Sequence, residues 1–367
     1  MSIFDRKPVL RWLAPVAALA VIGGAGGVVA ATATAGDRLP SRSAAELLVD
    51  LQQAQVDGLS GTVVQKSNLG IPAIPGAGGS DDASLTSLIS GTHTLDVWYS
   101  GDDKARLRVR GSLDETDVVK NGNDLWTWSY KDKTATKRTL NETKPGQSTQ
   151  QAPADLPKTP QEAASRILSA LDPTTEVSTS GTQEVAGRPV YELVLQPKDA
   201  DSLVTQVRIA IDGTEHIPLR VEVLTGAPDP AFEVAYTDVD FSRPDDAQFT
   251  FNPPPGTKVT TAAPETAKPQ KAPSKAEIEA KKKQATEDTK VVGEGWSTVV
   301  VIKLPAGDAD KSAGQLEQVL SSLPKVSGDW GSGRLLKGTA FTAVLTDDGR
   351  LAVGSVKPEL LYDALGK

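Results

Sequence analysis

Cysteine is missing from all 367 residues of the chain. That excludes disulfides, thiol nucleophiles and thiolate metal ligands. It also excludes anchoring through an acylated cysteine. Histidine is nearly as scarce: His93 and His216 each stand without a second His at ligand spacing, so structural roles are expected for both. Positive charge is short too. Against 47 Asp and Glu there are 39 Lys and Arg, a formal charge of −8 that argues against a nucleic-acid partner. Catalytic signatures are equally thin. The serines of "GGSDD" and "GWSTV" lack the G-x-S-x-G elbow, and the pairs Asp81-Asp82, Asp102-Asp103 and Asp347-Asp348 fall where turns are expected. No carboxylates recur at calcium-loop spacing. We therefore expect no enzyme, no cofactor and no metal.

What is present begins with an export segment. Arg6, Lys7 and Arg11 precede an uncharged run from Trp12 to Gly36, which closes on Ala33-Thr34-Ala35, a small-residue cleavage pattern. Residues 1–35 read either as a cleaved signal peptide or as a retained membrane anchor, since such a run also suffices to span a bilayer. In both cases the rest of the chain lies outside the cytoplasm.

Two amphipathic helices are signalled. Ser43 caps the first, with Ala44, Leu47, Leu48 and Leu51 on one stripe to about Val56. Thr159 and Pro160 open the second, with Ala163, Ala164, Ile167, Leu168 and Leu171 on one face. Most of the remainder up to Val259 alternates with period two. Inward sets are Leu107 and Val109; Tyr191, Leu193 and Leu195; Val207, Ile209 and Ile211; Leu219, Val221 and Val223; and Phe232, Val234 and Tyr236. Turn signals such as Asn121-Gly122-Asn123 and Ala186-Gly187-Arg188 separate them. Ten to twelve antiparallel strands against two short helices leave a sheet face that helices cannot cover. The sheet must curl, close, or keep a greasy hollow.

"DLWTWSYKD" puts Trp126, Trp128 and Tyr130 on one side of a strand, either as core or as one wall of such a hollow. "SNLGIPAIPGAGGSDD" places Leu69, Ile71 and Ile74 on a Gly-Pro loop at a rim, where they pack locally or act as a lid. Residues 260–290 read as a Pro/Ala/Lys-rich linker. Residues 291–367 read as a small C-terminal domain of βαββα type, with a hairpin at Asp347-Asp348-Gly349 and a closing helix.

From about Ser43 to Val259 the ordered set "GLSGTVVQKS", "VWYSGDDKARLRVRG", "DVVKNGNDLWTWSY", "HIPLRVEVL" and "FTFNPPPGTKV" resembles the LolA/LolB lipoprotein-carrier superfamily and its RseB/MucB branch. It looks most like actinobacterial exported LolA-like proteins. The resemblance implies an α+β fold over 41–259: a curved antiparallel half-barrel wrapped around helices, with a small C-terminal α/β domain attached. It also implies a non-enzymatic carrier or sensor for lipid or lipoprotein acyl chains at the outer face of the cytoplasmic membrane. The lining would come from the inward sets and the aromatic strand named above. The alternative is an RseB-like regulator whose partner is a membrane anti-sigma factor, contacted by the C-terminal domain.

Overall fold

The computed structural model describes residues 39–71, 83–85, 87–140, 173–261, 289–304 and 320–366. Helix α1 (Ala44–Gln53) starts as expected on a capping box. The Ser43 hydroxyl accepts from Glu46 N at 3.3 Å, and Glu46 Oε2 accepts from Ser43 N at 2.8 Å. The helix ends at Gln53, short of Val56. The expected second helix, residues 1–38 and Ile74 lie outside the described residues.

The described strands of the larger unit are β1 (Gly58–Ser67), β2 (Gly91–Ser100), β3 (Lys104–Arg110), β4 (Glu115–Asn121), β5 (Asp124–Ser129), β6 (Thr134–Thr139), β7 (Thr175–Val185), β8 (Arg188–Pro197), β9 (Val204–Asp212), β10 (Pro218–Thr225), β11 (Phe232–Asp240) and β12 (Lys258–Thr261). They form one sheet in the order β12-β6-β5-β4-β3-β2-β1-β11-β10-β9-β8-β7, antiparallel except where β12 lies parallel to β6. β1 is the seam, because it holds the β2–β6 meander on one side and the β11–β7 meander on the other. Tight turns drive the meanders. Ala186 and Gly187 join β7 to β8 with φ of 52° and 70°, the left-handed pair that a two-residue hairpin needs.

At the seam, Thr62 opposes Asp238 but Val63 opposes Tyr236, so β11 carries one extra residue. Such a bulge sharpens the local twist. Gly61 permits the close approach: a Cβ there would sit 2.5 Å from Asp238 O.

β13 (Thr289–Val292), β14 (Val299–Lys303), β15 (Lys325–Gly328), β16 (Gly331–Lys337), β17 (Thr342–Thr346) and β18 (Arg350–Gly354) form a second sheet, ordered β13-β14-β18-β17-β16-β15. Helix α2 (Pro358–Gly366) packs Leu361, Ala364 and Leu365 onto Val299, Val344 and Ala352. The hairpin between β17 and β18 turns at residues 347–349 as expected. The linker reading changes at both ends, because Thr260 and Thr261 belong to β12 and Thr289 and Lys290 to β13. Most of the first helix of the expected βαββα unit lies outside the described residues, and six strands stand where that unit has three: the arm before the 347–349 turn divides into β16 and β17, and β13 and β15 are added. Each is only four residues long, too short for alternation to register.

Candidate functional site

Residues directly opposed across an antiparallel pair share a sheet face. Val109 opposes Leu95, Leu95 opposes Val63, and Val63 opposes Tyr236. Val234 opposes Val221, which opposes Ile209, which opposes Leu193. Leu195, Val207, Val223 and Phe232 form the next row, and Tyr191 with Ile211 the row on the other side. Leu107 sits in this face opposite Val97. Leu219 lies beside a register shift and is buried in the cluster of Leu59 and Val63. The inward sets read from alternation thus converge on one continuous apolar face. Burial pushes the Tyr236 phenol up to about 12 on this face.

This face is packed, not hollow, at its centre. Val109, Leu193 and Ile211 are 0 % exposed, which leaves no water-sized gap against them. Leu47 and Leu48 of α1 cover Leu193, Ile209 and Ile211. Ala83 and Leu88 cover the β1–β3 part, and Val185 and Val190 join the same cluster.

The aromatic strand is a correction. Trp126 opposes Val119, which opposes Arg106, and Trp128 opposes Asp117, which opposes Arg108. Both indoles consequently lie on the face opposite Leu107 and Val109. Their partner is the chain's own Phe251, at 5.2 Å from Trp126 and 6.1 Å from Trp128 between ring centroids. Tyr130 falls in the turn after β5 and is exposed. On this outer face Asp117 takes Arg106 at 2.6 Å and Arg108 at 3.3 Å. Both guanidiniums also lie over the Trp98 ring. Alternation fixes the faces within one strand but not its phase against the next strand, and apolarity is a poor guide on a face where arginines lie over Trp98 and Lys137 over Trp126.

Sequence reasoning missed a polar island on the inner face. Gln65 and His93 are directly opposed across β1 and β2 and nearly fully buried. With Ser67 they hold three successive carbonyls of the segment after β1. Gln65 Nε2 donates to Leu88 O at 2.9 Å, Ser67 Oγ to Ile89 O at 2.7 Å, and His93 Nε2 lies 2.8 Å from Ser90 O. The signal was available: Gln65 and His93 occupy inward positions of otherwise alternating strands.

The two units meet at the end of the large sheet that carries the β1–β2 and β8–β9 connections. Leu203 N donates to Ser355 O at 2.9 Å and Lys357 N to Asp201 O at 3.3 Å. The buried Trp296 Nε1 donates to Thr175 Oγ1 at 2.7 Å. The stem of the Gly-Pro loop is held there as well, since Thr339 N donates to Leu69 O at 2.8 Å. The smaller unit also carries a cleft of about 360 Å³ lined by Trp330, Gly331, Ser332, Asp347 and Asp348. Its carboxylates are already occupied: Ser332 donates to Asp347, and Thr346 and Arg350 to Asp348, which holds the Asp348 carboxyl below its ordinary range. Among the described residues no group of three His, Asp or Glu is placed to hold a metal ion.

The fold and site together define a class: a twelve-stranded, almost wholly antiparallel sheet with a buried apolar face, joined by hydrogen bonds to a separate six-stranded sheet. No protein-family model matches the chain, and no curated protein matches it. Among solved structures, a chain of the Pseudomonas aeruginosa MucA/MucB complex is similar over 88% of this chain and 96% of its own, at 14% identity and a TM-score of 0.42. A LolA superfamily protein from Nitrosomonas europaea matches over 57% of this chain and 99% of its own, at 13% identity and a TM-score of 0.21. An uncharacterized conserved protein from Thermus thermophilus matches over 59% and 98%, at 11% identity and 0.34. At such TM-scores they decide neither a ligand nor a partner.

Proposed function

We propose that the chain is an extracytoplasmic, non-enzymatic binding protein that takes lipid, or the acyl chains of lipoproteins, against the inner face of its large sheet. The observation that carries this reading is the buried, largely apolar face that runs from Val109 on β3 to Leu193 on β8. Among the described helices only the ten residues of α1 and the single turn Ser87–Ile89 pack on it. The charge-free N-terminal run and the sequence resemblance support the same assignment. An acyl chain of about fourteen methylenes would contribute on the order of 10 kcal/mol on burial, before the costs of binding. Because the face is filled, a ligand enters by displacing its cover, of which Ala83 and Leu88 are part. Lipid extracted from the purified protein and identified by mass spectrometry, with displacement of a fluorescent acyl probe, tests the reading. Protein that carries no lipid and binds no probe would sink it.

A second reading, a regulator that contacts a membrane anti-sigma factor, is favoured by the small unit. It has its own core and docks through few hydrogen bonds. Its short edge strand β15 is largely exposed. That reading expects the full chain to co-purify with such a factor, and to lose it when residues after Val291 are deleted; a carrier alone predicts no stable partner there.

A further inference from the structure

The polar island is unbalanced. His93 Nε2 lies against Ser90 O, and a carbonyl can only accept. Nε2 therefore carries the hydrogen, and in the neutral ring Nδ1 keeps a lone pair. Gln65 Nε2 places one of its two hydrogens on Leu88 O, and its Oε1 is a second acceptor. Neither His93 Nδ1 nor Gln65 Oε1 has a hydrogen-bond partner, although the residues are only 1 % and 5 % exposed. Natural folds rarely leave buried acceptors unmet. Directly opposed residues bring their Cβ atoms to about 5 Å, so the two lone pairs belong to one site. Their neighbours on this face cannot help: Val63, Leu95 and Val234 are apolar, and the Ser67 hydroxyl already donates to Ile89 O.

We infer that Gln65 Oε1 and His93 Nδ1 are the polar end of the ligand site, taking a hydroxyl or amide N–H donor carried by an otherwise apolar chain. This rests on the reading that the inner face takes an apolar ligand, and it narrows which one. Two facing acceptors repel a carboxylate or phosphate oxygen, so a fatty-acid anion is disfavoured at this position. Leu88, Ile89 and Ser90 form the cover, and the same three side chains that line the island fasten it. A ligand that lifts the cover loses three hydrogen bonds and recovers part of that loss through its own donor.

The test is displacement of a fluorescent acyl probe from the full chain by 1-monooleoylglycerol, oleamide, methyl oleate and oleate. The two donor-bearing compounds should displace it at concentrations about tenfold lower than methyl oleate, a step of one good hydrogen bond. Gln65→Met keeps the length but removes both the acceptor and the bond to Leu88 O, and should erase that preference. Ser67→Ala loosens the cover but keeps both acceptors, and should preserve the preference. Equal displacement by monooleoylglycerol, oleamide and methyl oleate in the unaltered protein would mean that the island holds only a water, overturning the inference while the carrier reading stands. Preference for oleate would overturn it too. No probe binding at all would remove the carrier reading and this inference with it.

Discussion

Replacing Asp117 by alanine separates the two faces of the large sheet. The carboxylate is 2 % exposed and bonded to Arg106 at 2.6 Å and Arg108 at 3.3 Å. Removing one partner of a buried ion pair costs about 3–5 kcal/mol, because the remaining charge is stranded. Here the cost should fall at the lower end. Arg106 retains the Gln248 carbonyl at 3.1 Å, Arg108 retains Glu115 at 3.2 Å, and both guanidiniums reach some solvent. An expected loss of about 3 kcal/mol becomes roughly 6–12 °C in Tm for a unit of this size. Calorimetry on the full chain, with tryptophan emission to follow the large sheet, measures it. Acyl-probe binding by the folded variant should be unchanged, since Asp117 and the indoles face away from Val109. A drop of less than about 2 °C would refute the energetic account. A normal Tm with lost probe binding would return Trp126 and Trp128 to the ligand wall.

Acid sensitivity should centre on Asp212. Burial alone would raise its carboxyl, but the Arg188 guanidinium and the Glu215 and Thr214 N–H groups outweigh burial and hold it below 3.8. The folded value is depressed, so this stabilisation is present above the unfolded value and lost as pH falls through the folded one. Asp212→Asn should flatten stability against pH below about pH 4 in urea titrations; an unchanged slope counts against it. Thr175→Val keeps the shape but strands the Trp296 indole N–H, at a cost of about 1–3 kcal/mol. The readout is faster exchange of that indole proton and quicker proteolysis between the two units. Ser at Leu69, Ile71 and Ile74 should leave Tm intact, because Leu69 is held through its backbone carbonyl, yet weaken lipid uptake. Equal uptake would remove the loop from the path.

Period-two alternation was enough to group Leu193 with Leu195 and Val221 with Val223, because each strand reports its own faces. The Ala186-Gly187 and Asn121-Gly122-Asn123 turns are equally legible, since Gly187 and Gly122 take the left-handed φ that favours glycine. What alternation could not convey was phase between strands. Asn121 pairs with Asp124 across the turn, and that single register places Trp126 on the same face as Arg106 and away from Leu107. The island was hidden for another reason: His93 was weighed as a metal ligand, and its role as a lone-pair acceptor depends on the carbonyl of Ser90 three residues back. The contacts of the smaller unit join residues as distant as Trp296 and Thr175, which no local pattern encodes.

The parallel strand β12 ends at Thr261 on one lateral edge of the large sheet, whereas Trp296 docks against β7, the opposite edge. The chain therefore leaves the sheet on one side and comes back to it on the other, with residues 262–288 as the bridge between. Undocking the small unit would not set it adrift, because a covalent leash keeps it at high local concentration and makes redocking a first-order event. A cut in that leash would convert the same contacts into a bimolecular equilibrium. The two halves would then part on dilution.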